Sequence, residues 1–399
     1  MMHAEPGMRK AIVCGSGVAG LSAAIALASE GWWVDVYERS SVVREIGAGI
    51  FIKGNGLRVL DGFGLFDNIR AGCVVLREAR TLDKDGRILQ QRRLHESNPV
   101  WNIQRERLIT ALLDRATELG ARVHTDSPVE AVSPDGSVSI RGTRLSADLV
   151  VATDGVNSVA RRALALDRAV RKPRSGAVRL LVARTRHEAD DVVREFWSGR
   201  LRVGVSPCTP TEVFTYLIAP LNDEHGARVP ININYWAARF PRLAAEGLFD
   251  RAAHAHGVHH PYPYVSASFW TKGRVALVGD AAHALPPTLG QGAGLSLMNT
   301  LLLSHYVTSR ANIAEALAAW ERDWRWVSNR TQTWSRRYAW ITSEWPPSVY
   351  ALRNAVIWAI GKSRRFNGYM RVADRVDAVG RKVLPAPDFS FKARPGARA

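Results

Sequence analysis

Cysteine is scarce in this chain. The 399 residues contain three, Cys14, Cys73 and Cys208, far apart, odd in number and without a CxxC spacing or a nearby histidine pair. That argues against a disulfide-framed secreted domain and gives no metal site to build on, so a reducing, cytoplasmic setting is expected. Long apolar runs are missing too. No segment approaches the roughly 18 to 20 apolar residues needed to span a bilayer, and the first residues, MMHAEPGMRK, hold no apolar stretch of signal-peptide length. Internal repeats and low-complexity segments are absent, although PDFSFKARPGARA at 387–399 looks like a frayed tail.

Negative charge is also in short supply, with 37 Asp and Glu against 54 Lys and Arg and a net charge of +17. The excess is local. From residue 321 onward there are 16 Lys and Arg but 6 Asp and Glu, a net +10, and from Trp320 onward the same stretch carries seven of the 13 tryptophans. Basic residues interleaved with aromatics suit nucleic acid or a membrane surface. No nucleic-acid motif accompanies the charge, so the expectation is amphipathic helices with aromatics packed inward and arginines solvated. Such a field still attracts anionic substrates.

What is present is a globular composition, 46% apolar and 23% charged, long enough for two or three domains. KAIVC (10–14) is a short apolar run, GSGVAG (15–20) follows, LSAAIALASEG reads as a helix, and WVDVYE (33–38) is a second strand that ends in an acid. This is a dinucleotide-binding βαβ unit. Gly15 permits the tight turn, Gly17 lets the backbone approach a diphosphate, and Gly20 lets helix and strand pack closely. The N–H groups of the GSGVAG turn and the start of its helix, with Val18 and Ala19 between the glycines, would meet the diphosphate. Glu38, with Arg39 beside it, would face the adenosine ribose. At this point FAD and NAD are both open.

Two more strands share the design. ADLVVATDGVNSVARRAL (147–164) ends a strand at Asp154-Gly155, with Ser158 and Arg161 on the following helix. RVALVGDAAHALPPTLGQGAG (274–294) ends another at Gly279-Asp280 and runs into a glycine-rich turn. Three acid-ended strands suit a cofactor longer than NAD.

The set GxGxxG with Glu38, GAGIFIKGNGLRVL (47–60), QRERLITALL (104–113), DGVNSVAR and GDAAHALPPTLGQGAG resembles the single-component FAD-dependent aromatic monooxygenases of the para-hydroxybenzoate hydroxylase fold. The likeness runs from residue 10 to about 325. It implies an α/β fold: a Rossmann-like FAD-binding domain, an inserted and mostly antiparallel β-sheet substrate domain, and C-terminal helices. By the resemblance Arg105 would contact the FAD phosphate region, Asp154 and Gly155 would belong to a motif associated with FAD and the nicotinamide cofactor, and Asp280 would bind the ribityl chain. A carboxylate at a buried strand end suits ribityl hydroxyls, since charge-assisted bonds are the stronger kind. Gly292, Ala293 and Gly294 would open a helix whose amides point at the flavin pyrimidine and stabilise negative charge on reduced flavin. Pro287 would stiffen the loop over the ring, and His283 is expected to be structural.

Two features depart from the wider family. Where many members follow these glycines with Asn and an acidic pair, this chain has Gly294 and Met298-Asn299. QGAGxxxxN, NGLRVL and SPC (206–208) are similar to the branch containing 2-methyl-3-hydroxypyridine-5-carboxylate oxygenase, whose members act on hydroxylated heteroaromatic acids and can open the ring. Phe51 and Phe214 stand where pocket tyrosines would be expected, so the substrate need not be the same.

Residues 1–75, 102–165 and 271–320 read as the discontinuous FAD-binding domain, 76–101 and 166–270 as the substrate domain, and 321–399 as a C-terminal helical region. Arg202 and Arg179, single arginines in apolar strands, are the candidate anchors of a substrate carboxylate. The competing reading for both is a salt bridge to a local acid such as Glu195 or Glu212; Arg161 is divided between a helix-surface or capping role and the cofactor. The implied reaction uses NADH or NADPH, bound transiently because there is no second GxGxxG, to reduce noncovalent FAD. Dioxygen then gives a flavin C4a-hydroperoxide that oxygenates an aromatic acid. No metal, nucleic acid or membrane-spanning partner is expected, and a monomer or homodimer is. Two other classes stay in play: a halogenase or reductase on the same fold, the former with Lys53 as its lysine, and a non-catalytic redox-responsive flavoprotein.

Overall fold

The structure, a computed structural model, describes residues 7–43, 48–94, 98–188, 190–343 and 370–383, with a few positions between 345 and 359. The tail expected over 387–399 and Gly47 of the GAGIFI stretch lie outside the described residues. The chain begins with strand β1 (Lys10–Cys14), helix α1 (Val18–Ala28) and strand β2 (Trp33–Tyr37). Ala11 to Cys14 are fully buried, as suits the interior of a parallel sheet covered on both faces. Leu21, Ala24 and Ile25 of α1 are fully buried as well. Burying Leu21 or Ile25 stabilises the fold by roughly 1.5–3 kcal/mol each.

Next come β3 (Gly49–Lys53), α2 (Gly54–Gly62), β4 (Val100–Gln104) and α3 (Arg105–Glu118). β4 pairs antiparallel with β3 and with Val74–Leu76. Strands β5 (Arg122–His124) and β6 (Leu149–Ala152) return the chain to the parallel sheet, and the short helix α4 (Val159–Ala163) follows β6.

The second sheet contains β7 (Ser175–Ala183), β8 (Val192–Ser198), β9 (Leu201–Pro207) and β10 (Glu212–Pro220). Its order is Val258–Pro261, β7, β10, β9, β8, Glu78–Asp83, Ile88–Arg93. Every pairing is antiparallel except β8 with Glu78–Asp83. Side chains alternate between its two faces. Val178, Leu180, Val203, Val205, Val213 and Leu217 pack on Trp236, Phe240, Leu243, Leu248 and Phe249. The register puts Arg179 opposite Tyr216, Leu181 opposite Phe214, Gly204 opposite Tyr216 and Arg202 opposite Ile218, so these residues share the other face.

The chain then forms β11 (Val275–Leu277), α5 (Asp280–His283), α6 (Gly292–Thr308) and α7 (Ile313–Ser343). The first sheet has the order Thr271–Lys272, β11, β6, β1, β2, β5. Cys14 is in register with Ala152, and Ala152 with Leu277, so the carboxyl ends of β1, β6 and β11 stand level. The three acid- and glycine-bearing turns therefore converge at one edge, where open α/β sheets bind ligands. α6 locks onto α1 through Ser304 Oγ donating to the Ala26 carbonyl at 2.8 Å and a 2.6 Å Ser22–Thr300 hydroxyl pair. α7 divides its tryptophans. Trp320 and Trp324 face the core, but Trp326 and Trp340 are exposed, so the inward-facing expectation holds for only part of this helix. Among the described residues no helix is long and apolar enough to cross a membrane.

Candidate cofactor and substrate site

The turn after β1 is built on two glycines that nothing else could replace. Gly15 has φ +102°, and a Cβ on Gly20 would lie 1.8 Å from the Gly15 carbonyl oxygen. α1 starts at Gly17 with no side-chain cap, and Val18, Ala19 and Gly20 form its first turn. Amides at such a start lack helical acceptors and favour an anion. Glu38 lies just beyond β2 and accepts from Ser16 N at 2.9 Å, Ser16 Oγ at 2.8 Å and Ser40 N at 2.9 Å. Burial works to raise its pKa, but these donors outweigh it and hold the carboxyl below the ordinary value. Three of about four acceptor positions are used, which leaves room for a ribose hydroxyl. Arg39 beside it is exposed.

Asp154 sits against this turn, its Cα 3.4 Å from where a Gly15 Cβ would be. Its Oδ2 accepts from Val159 N at 2.7 Å and Ala160 N at 3.2 Å, which caps α4. Its Oδ1 is buried and without a hydrogen-bond partner. Gly155, at φ +77°, has open space where a Cβ would go. Arg161 resolves its two readings toward structure. The side chain is 1% exposed and holds Asp167 at 2.6 Å, the Ala281 carbonyl at 2.8 Å and the Val156 carbonyl at 2.7 Å. It therefore clamps the Asp154 turn to α5.

Asp280 opens α5 after Gly279, which has φ +66° and where a Cβ would come within 3.0 Å of the Ala19 Cβ and 3.1 Å of Ser296 Oγ. The Asp280 side chain is accessible to solvent. Burial raises its pKa, and the opposing Arg105 and Arg179 charges only partly offset this. For Arg105, burial and then Arg179 push the pKa down to about 10 against the pull of Asp280. The three charges thus lie within electrostatic reach of one another. His283 is structural: burial lowers its pKa to about 4, it lies 3.0 Å from Asn299 Nδ2, and its ring is 5.0 Å from that of Trp270.

The glycine-rich loop completes this wall. Pro287 begins a single 3₁₀ turn ending at Gly290, φ +58°, and α6 starts at Gln291 with no side-chain cap. A Cβ on Gly292 would meet only open space, whereas one on Gly294 would press on Asn55 at 3.0 Å; Ala293 lies between. The orphan Asp154 oxygen, the uncapped starts of α1 and α6, and the accessible Asp280 carboxylate fit an extended cofactor bearing a diphosphate, a polyol and a planar ring.

Opposite stands the polar and aromatic face of the second sheet. Phe51 of β3 and Phe214 of β10 lie 5.9 Å apart between ring centroids, and Phe214 and Tyr216 lie 5.4 Å apart. Both phenylalanines assigned to the pocket from sequence are brought together. Tyr216 was not singled out there, although its alternation with Phe214 in EVFTYL carries the signal. Its ring covers Gly204, where a Cβ would come within 1.9 Å of it. The Tyr216 hydroxyl donates to Glu195 at 2.8 Å, as does Trp197 Nε1 at 2.6 Å. Burial, then Glu195, raises the Tyr216 pKa well above its ordinary value.

The two arginines part company. Arg202 is 3% exposed, lies 3.7 Å from Glu195 and donates to Thr342 Oγ1 at 3.1 Å and Ser343 Oγ at 2.6 Å. The structure thus gives it the local acid. Arg179 is half-buried beside Tyr262, 5.7 Å from its ring centroid, and its charge reaches Asp280. Lys53 pairs with Asp374 at 3.9 Å. Among the described residues no group of three His, Cys, Asp or Glu is placed to hold a metal.

A family model described as FAD binding domain matches residues 8–317. The chain is 36% identical over 328 residues to a probable 2-heptyl-3-hydroxy-4(1H)-quinolone synthase of Rhodococcus erythropolis, covering 79% of this chain and 83% of that protein. It is 35% identical to the 2-heptyl-3-hydroxy-4(1H)-quinolone synthase of Mycobacteroides abscessus, covering 88% and 94%. Among solved structures, the tetrameric form of 2-methyl-3-hydroxypyridine-5-carboxylic acid oxygenase superposes with a TM-score of 0.83 at 32% identity, covering 95% of this chain and 99% of that one.

Proposed function

Because the chain belongs to the FAD binding domain family and is a flavin-dependent monooxygenase of the para-hydroxybenzoate hydroxylase fold, we propose that it oxygenates an electron-rich, hydroxylated or oxo-substituted nitrogen heteroaromatic, with NADH or NADPH as transient electron donor. The substrate reading is supported by an aromatic wall of Phe51, Phe214 and Tyr216, rings tilted 57° and 48° to one another, with Arg179 directly across from Tyr216 in the sheet. The relatives named above are called after quinolones and a hydroxypyridine, both planar heteroaromatic rings of the kind that packs against aromatic side chains.

The chain's own residues supply placement. The first amides of α1 would take the diphosphate, Glu38 a ribose hydroxyl, Asp154 Oδ1 a donor near the diphosphate, and Asp280 the polyol hydroxyls. Gly292 and Ala293 at the start of α6 would present their amides and the positive helix end to the pyrimidine side of the ring. Bound there, reduced flavin supplies the activation of dioxygen and the transfer of one oxygen atom. Arg179 would hold an acidic oxygen of the substrate, either a carboxylate or the ring oxygen, while the Phe51–Phe214–Tyr216 wall excludes water and fixes the ring plane. Arg202 serves the wall itself. With Glu195 it fixes the Tyr216 hydroxyl and so the ring above Gly204.

The test is a panel of 2-alkyl-4(1H)-quinolones and hydroxypyridine carboxylates, scored for accelerated NAD(P)H oxidation. Acceleration of at least tenfold by one class supports the reading. Equal background oxidation across the panel removes it.

A further inference from the structure

The family match ends at residue 317, yet residues 370–383 pack into the core of the flavin-binding half. Ala373, Val376 and Ala378 are fully buried and belong to the same apolar cluster as β1 and α1. Between them lies Asp374, 2% exposed. A buried carboxylate is costly unless paired and hydrogen-bonded, and the partners of Asp374 lie on elements that frame the cleft. Its Oδ1 accepts from the Gln291 side-chain amide and lies 3.9 Å from Lys53 Nζ. Its Oδ2 accepts from Asn98 Nδ2 at 3.4 Å. Arg58 Nη2 on α2 donates to the Asp374 carbonyl at 2.9 Å and the Val376 carbonyl at 2.8 Å.

Both principal partners border the reacting region. Gln291 is the residue from which α6 starts, and its Oε1 accepts from Asn55 Nδ2 at 3.1 Å. Lys53 ends β3, two residues after Phe51 on the same face. A Cβ on Gly290 would lie 3.6 Å from the Phe51 Cβ and 3.8 Å from the Lys53 Cε, so both side chains brace the glycine loop. On its far side the loop is tied to α7, where Thr288 Oγ1 donates to the Ser335 carbonyl at 2.8 Å.

We propose that Asp374 is a positioning residue for oxygen transfer: through Gln291 and Lys53 it locks the Pro287–Gln291 loop against β3 and so sets the spacing between flavin ring and substrate wall. The consequence for catalysis rests on the monooxygenase reading; the mechanical claim does not. The basic C-terminal region thereby gains a role, as the strap on the cofactor loop. Electrostatics point the same way. Burial pushes the Lys53 pKa down to about 8, Asp374 opposes this, and Arg92 and Arg371 add to the fall, so the carboxylate favours the charged form of this ammonium under the loop.

The experiment compares Asp374→Asn, which keeps size and one acceptor but loses the charge, with Asp374→Ala, which loses both. Amide hydrogen exchange is followed over 287–295, with β1 and α1 as internal references, in flavin-free and flavin-loaded protein. The strap predicts at least tenfold faster exchange over 287–295 in Asp374→Ala, a smaller rise in Asp374→Asn, and unchanged references. With 2-heptyl-4(1H)-quinolone or the best panel compound, it predicts an at least threefold larger peroxide share of NAD(P)H consumed, with the substrate KM within twofold of native. Native exchange over 287–295 overturns the proposal, as does faster exchange spread equally over the references, or a faster loop with an unaltered peroxide share. If Asp374→Ala does not fold, Gln291→Ala tests the same link from the loop side. Loss of loop protection without turnover of any panel compound, even by native protein, would count against the monooxygenase reading and not against the strap.

Discussion

Arg202→Met keeps an apolar stem in place and removes the guanidinium. In the native protein that group is 3% exposed, lies 3.7 Å from Glu195 and donates to two hydroxyls of α7. The stranded Glu195 would still accept from Trp197 and Tyr216, and its side chain is 24% exposed. The penalty should therefore fall below the roughly 3–5 kcal/mol of a fully buried broken pair, while the two lost hydrogen bonds cost about 1 kcal/mol each. Together the loss is about 2–4 kcal/mol, enough to lower the melting temperature by roughly 2–5 °C in a chain of 399 residues. The assay pairs that melting temperature with dissociation constants for an aromatic acid and its carboxamide. We expect lower stability and an unchanged preference between acid and amide. A melting temperature within about 1 °C of native, together with a lost preference for the acid, would refute the pairing with Glu195 and restore Arg202 as the anchor.

Further outcomes follow from the same geometry. Glu38→Gln and Asp280→Asn should each weaken FAD binding by about 1.5–3 kcal/mol, roughly 10- to 150-fold, because each removes a charged acceptor; flavin-fluorescence titration reads this, and native affinity in both would displace the cofactor. Heat or acid denaturation without protease should release intact FAD, seen as yellow colour in the filtrate and not in the precipitated chain. His283 has its folded-state pKa lowered from 6.5 to about 4 by burial. As pH falls from 6.5 toward 4 the unfolded chain takes up a proton that the folded chain refuses, so stability is lost across that window, by about 3 kcal/mol at pH 4. The native protein should show that loss relative to His283→Gln in parallel urea titrations, and identical pH slopes would refute it. Gly20→Ala should abolish folding or FAD binding, since its Cβ would sit 1.8 Å from the Gly15 oxygen; normal flavin content would contradict the turn geometry.

Turn chemistry was the most legible part of the sequence. Glycines and strand-end acids act within a few residues of themselves, and Gly15, Gly20, Glu38, Asp154 and Asp280 all lie at one sheet edge because parallel register does the rest. Long-range pairing was not legible. Glu195 and Glu212 were equivalent partners for Arg202 until the β8–β9–β10 register brought in Glu195, while Glu212 went to Gln104 Nε2 at 2.6 Å. Arg161 sits on a short helix that looks surface-like in isolation, and only α5, 120 residues on, encloses it. Tyr216 could have been found by strand alternation. Asp374 could not, because no local pattern announces that a segment more than 80 residues beyond Gln291 returns to cap the glycine loop.

Oxygen transfer to a heteroaromatic ring can be followed atom by atom with labelled dioxygen. The FAD-loaded protein is given NADH or NADPH, ¹⁸O₂ and the quinolone and hydroxypyridine panel, and the products are weighed by mass spectrometry. A monooxygenase acting on such a ring gives a product carrying one ¹⁸O atom from dioxygen, formed in step with NAD(P)H consumption. Full recovery of the consumed electrons as hydrogen peroxide, with no ¹⁸O in any ring, would contradict it.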